Sequence, residues 1–197
     1  MRGQAPVRLD GFVGFRARAN YRSPRSIARF IERTLPFEFE CANDLPGLEV
    51  GVTPYTDPAE QPALVARIVA WLLAQGFAHD DIVVLTTHHT VTPGTPRSVL
   101  GERERVGNYR LRQFTGEYDL LGHQLTTPEQ LSFLIIRRFT GQQSPAVIIV
   151  DVDPDPADTD GANRLLFAGM TRATVRLELL VRQGNPLAER FRTAAAR

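Results

Sequence analysis

The sequence predicts an α/β fold in which a parallel sheet carries helices on both faces. Two observations lead to this prediction. Apolar runs of strand length alternate along the chain with segments whose apolar residues recur at helical spacing, and this alternation is typical of parallel sheets covered by helices. A chain of 197 residues, 43% of them hydrophobic, is also long enough for one globular domain with a substantial core.

The first half of the chain contains two predicted helices and two predicted strands. Ser23-Pro24 places an N-cap before a proline at the first helical position. Residues 48–54 alternate as in a strand, and residues 82–85 form an apolar run typical of a buried strand. A second helix begins at Asp57-Pro58 and ends at Gly76. Its apolar stripe, predicted to lie in the core, is formed by Leu64, Ile68, Trp71 and Leu72.

The second half of the chain continues the alternation. Residues 131–136, 146–150 and 175–181 are apolar enough to be strands, residues 162–170 are predicted to be helical, and residues 186–195 are predicted to form a terminal helix. In this half of the chain, the strand patterns at 146–150 and 175–181 are each followed by a helical pattern. The order therefore agrees with a parallel sheet.

Residues 90–128 differ in composition from the rest of the chain. They are rich in Gly, Pro, Thr and Arg, and they predict a small, surface-facing insertion with one hairpin formed by residues 109–114 and 120–125. The arginines of this segment could follow a phosphate backbone, or they could belong to a solvated face balanced by nearby glutamates. These arginines are Arg103, Arg105, Arg110 and Arg112, and the glutamates are Glu102, Glu104 and Glu117.

The charged residues exclude several kinds of chemistry. All 23 basic residues are arginine, so the chain has neither the lysine of a Walker A loop nor a Schiff-base lysine. The net charge of +1 indicates that any nucleic-acid site is local. Cys41 is the single cysteine, which favours a reducing, cytoplasmic location. No apolar run approaches the ~20 residues of a membrane span, so we expect a soluble protein without a membrane partner.

Two clusters invite a metal-binding interpretation. His88 and His89 are adjacent, and their side chains would diverge on a strand. Residues 151–160 contain five aspartates, but they lack the glycine and glutamate spacing of a calcium loop. We therefore expect no metal site, and we interpret the acidic segment as a solvated connection.

Two short motifs each present an arginine where it could meet a polyphosphate. They are Asn20-Tyr21-Arg22-Ser23 and Gly169-Met170-Thr171-Arg172-Ala173. A guanidinium group stays charged and donates in a planar fork, so two of them on one anion could stabilise the charge that develops in phosphoryl transfer. We expect both arginines at the same edge of the sheet, at the carboxyl ends of strands. Alternatively, Arg22 braces the following helix, and Arg172 interacts with a helix C-terminus.

The chain resembles UvrD/Rep-type superfamily 1 DNA helicases in three motifs that occur in the family's order. Residues 20–23 resemble motif IV, residues 138–142 resemble motif V, and residues 166–173 are similar to motif VI. The resemblance extends from about Leu9 to Val181. It implies that residues 1–197 form a RecA-like domain, the second motor domain, with a small insertion at about 90–128.

The resemblance implies a role for each matching residue. Arg22 and Arg172 would be the catalytic arginine fingers that reach ATP held with Mg²⁺ by the first RecA-like domain, which carries the Walker A loop. The further cofactor-binding residues would be Tyr21 at the adenine, Gly141 in the motif V loop, and Gln143 at the ribose. Single-stranded DNA would be bound by Thr87, His89, Arg137 and Arg138.

Two departures from the family concern motif V. Thr140 stands where the family has lysine, and Gln142-Gln143 replaces Leu-Glu. The chain by itself is expected not to hydrolyse ATP, because it lacks the phosphate loop. The alternative to a motor domain is a non-catalytic nucleic-acid-binding or scaffold module that retains the fold. A free-standing α/β enzyme is a third possibility, and the sequence offers it no convincing nucleophile or base.

Overall fold

The computed structural model describes residues 19–37, 40–88 and 96–195. It contains four α-helices within these ranges: α1 (Arg25–Thr34), α2 (Gln61–Ala74), α3 (Thr159–Met170) and α4 (Pro186–Ala195). The strands of the same ranges are β1 (Ala19–Asn20), β2 (Glu40–Cys41), β3 (Gly51–Tyr55), β4 (Ile82–Thr86), β5 (Arg105–Val106), β6 (Tyr109–Arg112), β7 (Phe114–Tyr118), β8 (Gln124–Thr126), β9 (Leu131–Ile135), β10 (Ser144–Val152) and β11 (Ala173–Arg182).

Seven of these strands form one sheet in the order β3-β11-β10-β4-β9-β6-β5. Neighbouring strands from β3 to β6 are parallel, and only the edge pair β5 and β6 is antiparallel. The long central strand β10 is buried from Ala146 to Val152. The predicted α/β class is confirmed, and the mostly parallel sheet agrees with a RecA-like fold.

Helices cover both faces of this sheet, as the sequence predicts. Side chains of a strand point alternately to the two faces, so Val147 and Ile149 pack with α1, α3 and α4 on one side. Ile148 and Val150 pack with α2 on the other side. β10 is apolar on both faces because both are covered, and a continuous apolar run is the sequence pattern of such a strand.

The helix boundaries show where the predictions need correction. α1 begins at Arg25 with Pro24 at the N-cap position and without a side-chain cap, so the predicted cap by Ser23 is wrong. A single 3₁₀ turn precedes α2, and Asp57 caps that turn by accepting a hydrogen bond from the Ala59 N–H at 2.8 Å. No described helix is both long and apolar enough to cross a membrane.

Trp71 does not belong to the core, contrary to the predicted stripe on α2. Its side chain is 40% exposed, and its ring lies beneath the guanidinium group of Arg176 at 4.8 Å. The buried face of α2 is formed by Gln61, Pro62, Val65, Ile68, Val69 and Leu72. The predicted stripe is confirmed for Ile68 and Leu72, which are buried, and is wrong for Trp71. Val65 and Val69, one helical turn apart, define the buried direction more closely than Trp71 does.

The segment after β4 contributes partly to the main sheet. β6 pairs in parallel with β9 and antiparallel with β5, so residues 109–112 are a strand of this sheet and not the partner of residues 120–125. The hairpin is formed by β7 and β8, which are antiparallel. The predicted pairing of residues 109–114 with 120–125 is therefore wrong. The apolar residues of β6 fit both arrangements, and only the contact with β9 distinguishes them.

Candidate functional site

Arg172 lies at the amino ends of β10 and β11. It directly precedes β11, and its guanidinium group donates through Nε to the Ala168 carbonyl at 2.9 Å and through a terminal nitrogen to the Gln142 carbonyl at 3.3 Å. The backbone N–H of Ser144 donates in turn to the Arg172 carbonyl at 3.0 Å. The loop before β10 and the loop before β11 are thus joined by both side-chain and main-chain hydrogen bonds.

The predicted position of the arginines at the carboxyl ends of strands is wrong for Arg172. The chain leaves β10 at its carboxyl end and returns through α3, which brings residues 171–172 back to the amino edge, where β11 begins parallel to β10. A helix that connects two parallel strands always returns the chain in this way. Arg172 therefore lies on the edge of the sheet opposite to the end of β10.

Arg22 and Arg172 are close enough to interact electrostatically. Burial lowers the pKa of the Arg172 guanidinium, and the positive charge of Arg22 lowers that pKa further. Arg22 is exposed in the short loop between β1 and α1. The Asn20 side chain holds this loop, because its oxygen accepts from the backbone N–H groups of Arg22 at 2.8 Å and Ser23 at 3.3 Å. The charge of Arg22 therefore acts at Arg172, which is compatible with the hypothesis of one shared anion.

The remaining residues predicted to contact the cofactor lie on loops around these arginines. Gly141 and Gln143 are exposed and flank Gln142, whose carbonyl accepts from Arg172. Gly141 has a φ of +83°, a conformation that glycine adopts without strain. Tyr21 precedes Arg22, and its side chain is 76% exposed, so its ring is available to a ligand.

The turn before this loop carries Arg137 and Arg138. A 3₁₀ turn (Ile136–Phe139) follows β9, and the hydroxyl of Thr140 donates to the Arg137 carbonyl at 2.8 Å. Arg137 is exposed, whereas Arg138 places its guanidinium group 3.9 Å from the centre of the Phe114 ring. Such a cation–π contact orients the charged group without neutralising it.

Gly169 permits α3 to pack closely against this turn. A Cβ atom at position 169 would lie 2.9 Å from Cδ1 of Ile136 and 3.0 Å from Cδ1 of Ile149. These separations are shorter than ordinary carbon contacts. The glycine of the second arginine motif therefore has a packing role, which places the end of α3 beside the turn that carries Arg137.

Thr87 lies at the other edge of the sheet. It follows the carboxyl end of β4, and its hydroxyl donates to the Asp151 carbonyl at 2.5 Å. The structure does not bring Thr87 together with Arg172, and His89 lies outside the described residues. Thr87 and the turn that carries Arg137 and Arg138 follow the carboxyl ends of the neighbouring strands β4 and β9, where Thr86 pairs with Ile135, whereas Arg172 lies at the amino edge.

Sequence reasoning missed a buried polar network around Asp151. Its side chain accepts from Gln61 Nε2 at 2.7 Å and from the Thr86 hydroxyl at 2.7 Å, and its backbone N–H donates to Gln61 Oε1 at 2.8 Å. Asp151 is 2% exposed and has a φ of +59°. The sequence signal for its burial was its position directly after a continuous apolar run, because the strand extends beyond that run to Val152 and keeps Asp151 within the sheet.

Three other aspartates of this segment have structural partners. Asp153 pairs with Arg182 at 3.0 Å, Asp155 accepts from the Ala157 N–H at 2.8 Å, and Asp158 accepts from the Gly161 N–H at 3.1 Å at the start of α3. Burial, followed by the negative charges of Asp151 and Asp153, raises the pKa of the nearby Tyr55 hydroxyl. The interpretation of a purely solvated connection is therefore wrong for Asp151.

Two of the four arginines considered as phosphate contacts in the segment after β4 are paired with carboxylates. Arg110 contacts Glu129 at 3.2 Å, and Arg112 contacts Asp80 at 3.3 Å. These pairs agree with a charge-balanced face, but the carboxylates are Glu129 and Asp80 and not the expected Glu102, Glu104 and Glu117.

Comparisons with known proteins identify a similar fold and no family. No family model matches the chain, and no curated protein sequence matches it. Among solved structures, the chain is similar to the C-terminal domain of a possible DNA helicase from Lactobacillus plantarum WCFS1, with a TM-score of 0.60 and 16% sequence identity. The similarity covers 89% of this chain and 96% of that chain.

Proposed function

We propose that this chain is the C-terminal, second RecA-like motor domain of an ATP-dependent superfamily 1 DNA helicase of the UvrD/Rep type. The observation that carries the proposal is the Arg172 guanidinium group, held by main-chain carbonyls of α3 and of the loop before β10 where the charge of Arg22 also acts on it. The similarity in fold to the C-terminal domain of a possible DNA helicase supports it. The first RecA-like domain would be the partner across the nucleotide site.

The arrangement of the arginines fits a polyphosphate. Two of the five N–H donors of Arg172 are used by main-chain carbonyls, which leaves the others for an anion. The Ala168 and Gln142 carbonyls hold the group in one orientation, so little reorganisation would accompany charge development in the transition state. An anion would also relieve the repulsion between Arg172 and Arg22. When bound, ATP supplies the phosphoryl group that is transferred to water.

The other residues of the proposed nucleotide site have supporting roles. The exposed ring of Tyr21 would pack on the adenine, and the exposed amide of Gln143 would bond a ribose hydroxyl. The flexible backbone of Gly141 would let the loop approach the nucleotide. Mg²⁺ and the Walker A loop belong, in this proposal, to the first RecA-like domain.

Single-stranded DNA is the proposed second ligand. Arg137 is exposed, and Arg138 is held by the Phe114 ring, so both can contact phosphates independently of sequence. Thr87 and His89 would extend this contact along the strand. In this proposal, nucleotide-driven closure of the two motor domains would move the turn at Arg137 along the strand.

Titration with inorganic tripolyphosphate tests the arginine site in this chain. We expect binding that weakens by roughly tenfold or more in Arg22→Ala and in Arg172→Ala, because each removes charge-assisted hydrogen bonds. Arg164→Ala is the matched control, since Arg164 is an exposed arginine earlier on α3, and it should change the affinity by less than about twofold. Equal losses in all three variants would indicate unspecific attraction and contradict the proposal.

A longer protein with both motor domains would test catalysis directly. Arg172→Lys should lower ATP turnover by ~10³-fold or more, because lysine cannot reproduce the planar fork. Single-strand binding should remain nearly unchanged in this variant. The double variant Arg137→Ala, Arg138→Ala should instead weaken strand binding and flatten its salt dependence. Normal turnover in Arg172→Lys would rule out its role as an arginine finger.

The alternative of a non-catalytic nucleic-acid-binding or scaffold module is favoured by one observation. Arg172 is braced between α3 and the loop before β10, which is also what a purely structural arginine would do. Replacement of the motif V lysine by Thr140 points in the same direction. Under this alternative, strand binding survives while tripolyphosphate binding is absent.

A further inference from the structure

The hairpin of β7 and β8 contains two extra residues that create an exposed aromatic pair. Its ladder connects Gln113 with Thr127 and Asp119 with His123, so the first arm is two residues longer than the second between these points. The surplus lies between Phe114 and Tyr118, where the register shifts. Gly116, with a φ of +97°, lies at the centre of this irregular stretch.

The irregularity brings together two rings that a regular strand would keep apart. Residues four positions apart in an extended strand are separated by roughly 13 Å. The ring centres of Phe114 and Tyr118 are 5.2 Å apart, with an angle of 62° between the planes. The bulge therefore gives the hairpin one continuous aromatic surface, of which Tyr118 is 56% exposed.

This aromatic surface is continuous with the arginine-bearing turn after β9. The Arg138 guanidinium group lies over the Phe114 ring at 3.9 Å, so Arg138, Phe114 and Tyr118 form a connected row of three planar groups. A cavity lined by Phe114, Gly116 and Arg138, among others, lies along this row. The row leads from the proposed phosphate contacts outward along the hairpin.

We propose that this row is a stacking platform for the bases of a single strand. Every base has a π-face, so exposed aromatic rings next to arginines bind single strands with little sequence preference. Arg137 and Arg138 would contact the phosphates, and Tyr118 would stack on a base farther along the same strand. The inference rests on the proposed function, since it extends the same strand path.

The charges of the hairpin permit this path. Asp119 pairs with His123 at 2.9 Å, and its side-chain oxygens also accept from the backbone N–H groups of Leu121 and His123. These hydrogen bonds with His123 and the backbone lower the pKa of Asp119 and engage its charge within the tip. Glu117 is exposed on the bulge, where its charge opposes phosphate binding and favours a contact made by the base rather than the backbone.

Fluorescence anisotropy with a labelled oligothymidylate tests the platform in the full chain. Tyr118→Ala should weaken binding by roughly five- to 100-fold, the range for the loss of one stacked base, whereas Tyr118→Phe should retain it within about twofold. Gly116→Ala should give a comparable loss without removing a ring, because alanine is strained at a φ of +97° and the rings would separate. Leu120→Ala is the matched control, since Leu120 is fully exposed at the tip and has no aromatic face.

An abasic strand of equal length separates stacking from phosphate contacts. The unmodified chain should bind it more weakly than oligothymidylate, and Tyr118→Ala should not weaken that binding further. Normal oligothymidylate affinity in Tyr118→Ala, together with loss of binding in the double variant Arg137→Ala, Arg138→Ala, would overturn the platform and leave the proposed function intact. No strand binding by the unmodified chain would contradict both. A loss in Leu120→Ala equal to that in Tyr118→Ala would indicate an apolar contact surface, such as one for a protein, and would also overturn the platform.

Discussion

The most direct consequence of the site geometry is that Arg172 should stabilise the fold while Arg22 should not. Arg172 joins the last turn of α3 to the loop before β10 through hydrogen bonds of 2.9 and 3.3 Å to main-chain carbonyls. Arg22 is exposed, and no hydrogen bond or ion pair of its side chain is seen within the described residues. Replacing each arginine by alanine therefore distinguishes the loss of the Arg172 side-chain hydrogen bonds from the loss of a positive charge alone.

The expected loss in Arg172→Ala follows from these two contacts. A hydrogen bond that involves a charged group contributes about 1.5–3 kcal/mol when it is well formed. Partial exposure and the longer bond to Gln142 place the total near the lower end, at about 2 kcal/mol. A domain of this size loses about 2–4 °C in Tm per kcal/mol, so Tm should fall by about 4–8 °C. Arg22→Ala should change the free energy of unfolding by less than about 0.5 kcal/mol.

Urea and thermal unfolding, followed by circular dichroism, would measure both variants. The slope of the unfolding free energy against urea concentration should be the same in the variants and in the unmodified chain, which would show that only stability has changed. Arg172→Lys should fall between alanine and the unmodified chain, because lysine keeps a charge near the helix end and cannot span both carbonyls. If Arg172→Ala is as stable as Arg22→Ala, the guanidinium group is not held as described, and the argument for its preorganisation fails.

Two further predictions concern buried carboxylates. Asp151→Ala should lower the free energy of unfolding by about 2–4 kcal/mol, because it leaves the donors of Gln61 and Thr86 buried without an acceptor. Urea titrations measure this loss. A loss below about 0.5 kcal/mol would show that these donors find other partners. Glu178 is buried beside Arg176, and burial raises its pKa above the ordinary 4.5 even though Arg176 opposes the shift. The folded state thus prefers the protonated form, so this contribution is present below pH 4.5 and is lost as the pH rises through the raised pKa. The unmodified chain should lose stability relative to Glu178→Gln across that interval, and a difference that is independent of pH would contradict the sign of the shift.

The layered fold could be predicted from the sequence because burial on two faces leaves a strong local pattern. The runs at 82–85 and 146–150 became β4 and β10 at the centre of the sheet. The terminal helix was predicted with its observed bounds. Trp71 shows the limit of such patterns, since its size and apolar character suit a core position, and only the direction of α2 against the sheet leaves it exposed beside Arg176.

The sequence could predict which residues belong to the candidate site, but it could not predict where these residues lie in the fold. The two arginine motifs indicated anion chemistry, and in the structure the charge of Arg22 acts on Arg172. Their edge of the sheet was predicted incorrectly, because it depends on which way the chain runs through α3. The positions of Thr87 and Arg137 relative to each other likewise depend on strand order, which no local pattern contains.

The amino-acid sequence by itself determined the α/β class, the elements of the central sheet and the arginine-only basic character of the chain. These follow from side-chain volume, polarity and spacing, which act over a few residues. Only the tertiary structure decided that Asp151 is buried, that β6 pairs with β9 instead of with residues 120–125, and that Phe114 meets both Arg138 and Tyr118. Each of these depends on contacts between segments distant in the chain or on a bulge that changes register, and such contacts form only when the whole domain packs.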